Sequence, residues 1–269
     1  VAGAKTPWEV QGLWRGDLNR ESPQARGLGL WYPMQEPIVG GTTILDRSGS
    51  GYHGTINNGP APVLVSQRQS KALQSSSGSG TYVQATSVPW GSARGVSVAF
   101  WVRMDALTSF GYLWSLNNLD SSAMMSFAYN PGGYFYYYDA AVKAFYWNPS
   151  AGDIAHVVVV FESDSAMRFY VNGRDTAVDA PAGNALGTAT LNLFRYSGGN
   201  YADISLWDFR VYTRALSAAE AWTIYDPRTR YDLYNIRRPR RSKGAAAVAA
   251  DPVGRSVFVR QAVQRAAVR

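Results

Sequence analysis

Between Ala155 and Gly173 the chain dictates its own local shape. Ala155 to Phe161 contains four consecutive valines, Val157 to Val160, whose β-branched side chains are stiff at χ1 and suit a pleated surface. A run that is apolar at every position has no solvent face, so the strand it predicts is covered on both sides. The polar stretch Glu162-Ser163-Asp164-Ser165-Ala166 turns the chain, and Met167 to Val171 returns as the second strand of a hairpin. Asn172-Gly173 follows, a dipeptide that accepts positive φ at both central positions of a type I′ turn, so a third strand is expected near Thr176. A chain that spends its most apolar stretch on an antiparallel meander must complete its core with strands.

The rest of the sequence supplies them. From Val96, the residues Val96, Val98, Phe100 and Val102 alternate with others, the period of two of a half-buried strand. Further strands are expected at 113–117, 124–129, 134–138, 189–196 and 204–212, separated by Gly, Pro, Asn and Ser clusters. Many short strands joined by turns predict an all-β antiparallel sandwich. One helix interrupts them: Ser217-Ala218-Ala219-Glu220 is a capping box, and Asp226-Pro227 marks its end.

Composition removes several chemistries. There is no cysteine, which excludes disulfides, thiol nucleophiles and cysteine-ligated zinc. The two histidines, His53 and His156, are too few for a histidine cluster, so a metal would need oxygen ligands. No stretch approaches the ~20 apolar residues that span a bilayer, and Val1 to Lys5 lacks the apolar core of a signal peptide. The expectation is a soluble chain with no membrane partner. The net charge of +7 is unevenly placed: residues 226 to 269 hold 11 Lys and Arg against three Asp, while the remainder holds 15 basic against 16 acidic residues. A near-neutral body with a basic extension points to two different partners.

Five segments, in order, resemble the laminin-G-like branch of the concanavalin A-like jelly rolls. They are Gly27-Leu28-Gly29-Leu30-Trp31-Tyr32-Pro33, the turn Asp46 to Ile56 with its His53-Gly54-Thr55, and Lys71-Ala72-Leu73 to Thr81-Tyr82-Val83, similar to the family's one strand before the strand Ser97-Val98-Ala99-Phe100-Trp101-Val102. His156 to Phe161 with Met167 to Gly173 is the fourth, and Asp208 to Ser217, leading into the terminal helix, is the fifth. The resemblance spans residues 25 to 226 and implies a jelly roll there. Asn19 to Leu28 and the run Arg237-Arg238-Pro239-Arg240-Arg241 are similar, more narrowly, to segments of laminin-G-like virion proteins of tailed bacteriophages.

The organisation expected is therefore an N-terminal lead (1–24), the jelly roll (25–226) and a basic C-terminal arm (227–269). By resemblance the chain is a non-enzymatic virion protein, a capsid decoration made in the host cytoplasm and anchored by its arms to the major capsid protein, other virion proteins or copies of itself. Arg237, Arg238, Arg240, Arg241, Val257, Val259, Arg260 and Arg265 are the expected partner-binding residues; Pro239 bars an interior helix, and Arg255 to Arg260 alternates like a strand that could join a partner's sheet. Nucleic acid is the disfavoured partner, since Phe258 alone could stack on bases. The alternative is an adhesin that binds surface polysaccharide through Tyr136, Tyr138, Tyr146 and Trp147; the competing role of these rings is core packing.

Other candidates are weaker. The resemblance implies a structural calcium at Asp46 and Asp208, against a simple Asx turn closed by Asp46; no other cofactor is expected. Glycan hydrolysis needs two carboxylates across the bond, and only Glu162-Ser163-Asp164 begins such a pattern, with Ala166 where the second glutamate would stand. Arg15-Gly16-Asp17 is too short a string to carry a function, and His53 and His156 read as structural.

Overall fold

Alternation of apolar and polar positions sets eighteen strands among the described residues. The computed structural model describes residues 14–35, 41–58, 63–67, 70–75, 78, 80–89, 95–107, 110–118, 124–130, 134–139, 141–145, 147–163, 166–179, 188–195 and 200–236. The strands are β1 (Trp14–Leu18), β2 (Leu28–Tyr32), β3 (Thr43–Ile44), β4 (Gly54–Asn57), β5 (Val63–Gln67), β6 (Ser70–Ser75), β7 (Tyr82–Pro89), β8 (Val96–Met104) and β9 (Gly111–Asn118). They continue as β10 (Met124–Asn130), β11 (Tyr134–Asp139), β12 (Ala141–Phe145), β13 (Ile154–Ser163), β14 (Ala166–Val171), β15 (Arg174–Asp179), β16 (Thr188–Leu193), β17 (Ile204–Tyr212) and β18 (Tyr234–Ile236). A short 3₁₀ turn covers Pro23–Ala25, and α1 covers Ala218–Tyr225.

Two antiparallel sheets face each other. Sheet I runs β12-β11-β10-β9-β16-β7-β4-β3; sheet II runs β15-β14-β13-β8-β17-β6-β5, with β2 also on β17. The chain passes repeatedly from one sheet to the other, as at β6 to β7, β7 to β8, β8 to β9, β15 to β16 and β16 to β17, while β9 to β12 and β13 to β15 run as meanders within a single sheet. The segments Lys71 to Leu73 and Thr81 to Val83, expected as one strand, are β6 of sheet II and β7 of sheet I.

The core lies between the sheets. Val96, Val98, Phe100 and Val102 of β8 meet Val157, Val159 and Phe161 of β13 and Leu113, Trp114 and Phe127 of sheet I. The other valines of β13, Val158 and Val160, face outward under α1, packed with Tyr170, Tyr212, Leu216 and Ile224. That second layer explains the unbroken valine run. Each buried valine contributes roughly 1.5–3 kcal/mol by leaving water, so covering both faces doubles what this strand contributes.

The local signals behave as expected. Asn172 and Gly173 have φ of 51° and 75°, the two positive values of a type I′ turn, and β15 begins at once at Arg174. Ser217 Oγ accepts from the Glu220 N–H while Glu220 Oε2 accepts from the Ser217 N–H.

The folded body extends past the expected boundaries. β1 pairs with β18, and Leu233 and Tyr234 pack with Trp31 and Leu18 on the outward side of sheet II. Trp31 is fully buried only because these end segments cover it, which is why residues 14–24 and 227–236 belong with the jelly roll. Arg15-Gly16-Asp17 falls inside β1. Arg237, Arg238, Arg240, Arg241, Val257, Val259, Arg260 and Arg265 lie outside the described residues.

Candidate functional site

The outward faces of the two sheets differ in chemistry. That of sheet II is covered by α1 and the end segments. At its centre Trp207, Trp101 and Tyr225 stack in turn, 5.9 Å between successive centroids. His156 lies against Trp101 and Tyr225, and Arg230 over Trp101. Burial, with the charges of Arg210 and Arg230 beside it, pushes the His156 pKa well below its ordinary value, so the imidazole is neutral packing. His53 is structural too: its Nδ1 accepts from the Asp46 N–H at 3.0 Å.

Asp46 and Asp208 do not form a calcium site. Asp46 Oδ1 accepts from the N–H groups of Trp31 and Ser48, and Oδ2 from Ser48 Oγ and the Tyr52 N–H. This is the Asx turn, closed from Asp46 to Ser48. Asp208 accepts from the Trp31 indole at 2.8 Å and from Arg210 at both oxygens, 3.0 and 2.7 Å. Calcium needs six to eight free oxygens, whereas these carboxylates are saturated by donors and one is already neutralised by a cation. Among the described residues no three His, Asp or Glu side chains gather as metal ligands.

Asp208 and Arg210 owe their geometry to a bulge. Trp207 stands opposite Trp101 and Arg210 opposite Ala99, so β17 has one residue more than β8, and Asp208 takes φ of 51°. The extra residue turns Asp208 toward Arg210, which is fully buried and also donates to Gln24 Oε1 at 2.8 Å. Burial opposes the charge of Arg210, but Asp208 and the rings of Tyr212 and Tyr234 outweigh it and raise its pKa above the ordinary guanidinium value. This pair locks the Pro23–Ala25 turn to β17.

Sheet I carries polar side chains on its outward face. The register aligns Thr55 of β4, Gln84 of β7, Asn192 of β16, Ser115 of β9 and Ser126 of β10 in one row across five strands. Each alternates with a core residue, Ile56, Val83, Leu191, Leu116 and Phe127 among them. Gln84 Nε2 donates to Asn192 Oδ1 at 3.1 Å, Asn192 Nδ2 to Ser115 Oγ at 3.4 Å, and Ser115 Oγ to the Arg195 carbonyl at 3.0 Å. The bonds all run one way, which leaves Gln84 Oε1 as an acceptor at the open end. Thr55 is exposed and Gln84 half-buried, while Asn192, Ser115 and Ser126 are buried, and Ser126 Oγ has no partner.

Beyond β16 the chain bends, with Phe194 in the core at φ of 72°, and brings Arg195 out over this face. Its guanidinium lies 3.2 Å from the centroid of the Tyr82 ring, two residues from Gln84 on β7. Tyr112 and the 200–202 segment border the row, with the Tyr112 N–H on the Asn200 carbonyl at 3.0 Å. Arg195 thus covers the ring of the buried Tyr82 and sets its cation beside the Gln84 amide.

The aromatic residues expected to hold a glycan divide. Tyr136 and Tyr138 are in β11, with Tyr138 opposite Ser126 at the end of the polar row and Tyr136 opposite Ala128. Tyr146 lies outside the described residues. Trp147 packs against the sandwich core, the structural alternative for these rings. Glu162 pairs with Arg168 at 2.7 Å at the hairpin end, and Glu220 is spent on its helix cap, so neither is placed to act on a ligand of sheet I.

Residues 77–221 match a laminin-G-type family described as the concanavalin A-like lectin/glucanases superfamily, more than half of the chain. The chain belongs to this superfamily. No curated protein sequence matches it. Among solved structures, the superfamily fold is shared with domain 4 of an extracellular arabinanase from Geobacillus stearothermophilus, in complex with arabinotriose. The TM-score is 0.57 at 16% identity, covering 74% of this chain and 98% of that one. Trypanosoma rangeli sialidase is similar at TM-score 0.56 and 12% identity, over 74% of this chain and 32% of the sialidase. The binding domain of botulinum neurotoxin serotype D/C is similar at TM-score 0.56 and 12% identity, over 75% of this chain and 52% of that one. At these identities the likeness is one of fold.

Proposed function

We propose that this chain is a non-catalytic carbohydrate-binding module whose site is the outward face of sheet I. The observation that supports this is the row from Gln84 to Ser115, hydrogen-bonded in one direction and flanked by the Tyr82–Arg195 stack. A sugar offers hydroxyls to an amide and to a guanidinium, and here the amide is fixed by Asn192 and the guanidinium by the Tyr82 ring before a ligand arrives. The likeness to an arabinanase domain described with arabinotriose agrees with this reading. The engagement of Glu162 and Glu220 elsewhere agrees with binding without hydrolysis. The test is titration with a panel of plant, bacterial and host oligosaccharides, followed by calorimetry and by turnover assays. Gln84→Ala is expected to weaken any binding by about tenfold and, by stranding the buried Asn192 Oδ1, to lower stability by about 1 kcal/mol while the fold is kept; equal affinity of this variant, or cleavage of any glycan, would count against the proposal.

A virion role is the second reading, and the charge asymmetry favours it: nine of the last 33 residues are Lys or Arg, against one Asp. On this reading the basic arm attaches the module to capsid proteins or to copies of itself and sheet I is displayed. Co-sedimentation with phage heads of the full chain, but not of a chain ending at Ile236, is the expected result; attachment of both would remove the arm from the mechanism.

A further inference from the structure

We infer that the ligand of sheet I is an acidic glycan whose carboxylate is held by Arg195; this rests on the reading of that face as a carbohydrate site. Other arginines of the body meet acids: Arg168 meets Glu162 and Asp175, Arg210 meets Asp208, Arg214 meets Glu220 and Arg228 meets Asp226. Arg195 meets none among the described residues. Its guanidinium is held against Tyr82, and its buried Nε has no acceptor. The buried Nε is out of a ligand's reach, but a ring face compensates a cation only in part, so the terminal N–H groups of Arg195 still call for an anionic oxygen group.

The geometry selects the kind of anion. A guanidinium stacked on a ring presents its N–H groups in its own plane, where a planar carboxylate accepts two parallel bonds. The groups around it suit the rest of a sugar acid. Gln84 Oε1 accepts a hydroxyl, and Thr55 is exposed at the same end of the row. The row itself, Thr55, Gln84, Asn192, Ser115 and Ser126, contains no acid that would neutralise Arg195 or repel the ligand. Arg230 also lacks an acid, but it is enclosed by Trp101 and Tyr231 within the layer over sheet II.

The experiment is calorimetric titration of the full chain with oligogalacturonate, oligomannuronate and hyaluronan oligosaccharides, each beside its methyl-esterified form, and with neutral arabino-, xylo- and gluco-oligosaccharides. At least one acidic form is expected to bind, with affinity reduced about tenfold or more both by esterification and by Arg195→Gln. Arg195→Lys, which keeps the charge but loses the planar fork, is expected to fall between. Near-UV circular dichroism checks that the variants fold, and the esterification arm needs no variant. Acidic binding insensitive to Arg195→Gln would overturn the inference. Equal binding of acidic and neutral forms, both weakened by Gln84→Ala, would overturn it while the carbohydrate reading stands. If none of these ligands binds, the inference and the carbohydrate reading both fall.

Discussion

Replacing Arg210 with methionine tests whether the bulge in β17 is held by its ion pair. The wild-type guanidinium is fully buried and bonds both Asp208 oxygens and Gln24 Oε1. Without it, Asp208, itself only 6% exposed, keeps the Trp31 indole and the Tyr234 side chain as partners but no cation. Breaking a buried pair from one side costs roughly 3–5 kcal/mol, because the surviving charge stays out of water, and the stranded Gln24 acceptor adds about 1 kcal/mol. Against a total stability of about 5–15 kcal/mol, the single variant loses a large fraction of its fold. Adding Asp208→Asn removes the stranded charge, and asparagine tolerates the positive φ at this position. The double variant is therefore expected to recover about 2 kcal/mol or more, an interaction of the size that coupled neighbours show. Urea unfolding of the full chain at neutral pH, followed by tryptophan fluorescence, measures both differences. A loss below about 1 kcal/mol for Arg210→Met, or a double variant no more stable than the single, would show that the pair does not hold the bulge.

Other expectations concern single positions. The hydrogen bond from Arg214, opposed by burial and aided by the Ser217 cap, lowers the Glu220 pKa to about 2. A folded pKa below the unfolded one gives stability that is full above ~4.3 and lost as pH falls toward 2. Since the Glu220 side chain is 40% exposed, Glu220→Gln should cost under about 1 kcal/mol at pH 7, with the difference from wild type vanishing near pH 2. Gly173→Ala forces a side chain onto φ of 75° with its Cβ 2.7 Å from Trp222 Cε3, and should destabilise by about 1 kcal/mol or more in thermal melts; an unchanged midpoint would contradict the strain. Ser126→Ala removes a buried hydroxyl without a partner and should raise stability by up to about 1 kcal/mol. A loss instead would mean that the hydroxyl is bonded.

Most of the strand framework was readable because its signals are local. Alternation in Val96 to Val102, the valine run, Asn172-Gly173 and the Ser217 capping box each act within a few residues, and each appears where expected. The bulge at Asp208 was not readable: Trp207 and Phe209 flank it as apolar neighbours, and only pairing with Trp101 and Ala99 shows that one residue is extra. The polar row is harder still, since its members come from strands up to 137 positions apart, Thr55 to Asn192. One polar side chain at every second place is what any half-buried strand has. The one available sign was the choice of small and amide side chains, Ser115, Ser126, Gln84 and Asn192, where a plain solvent face favours lysine and glutamate. The calcium expectation failed because a motif records that an aspartate is present, not how many donors it already serves.

The pairing of β1 with β18 brings residues 14 and 236 side by side on the outward side of sheet II. Both connections of the body therefore leave from the same place, and sheet I lies on the far side of the sandwich. A module wired in this way can be spliced into a loop of another protein, or circularly permuted, without tearing its core. The outward face of sheet I keeps the same outlook whichever end bears the tether.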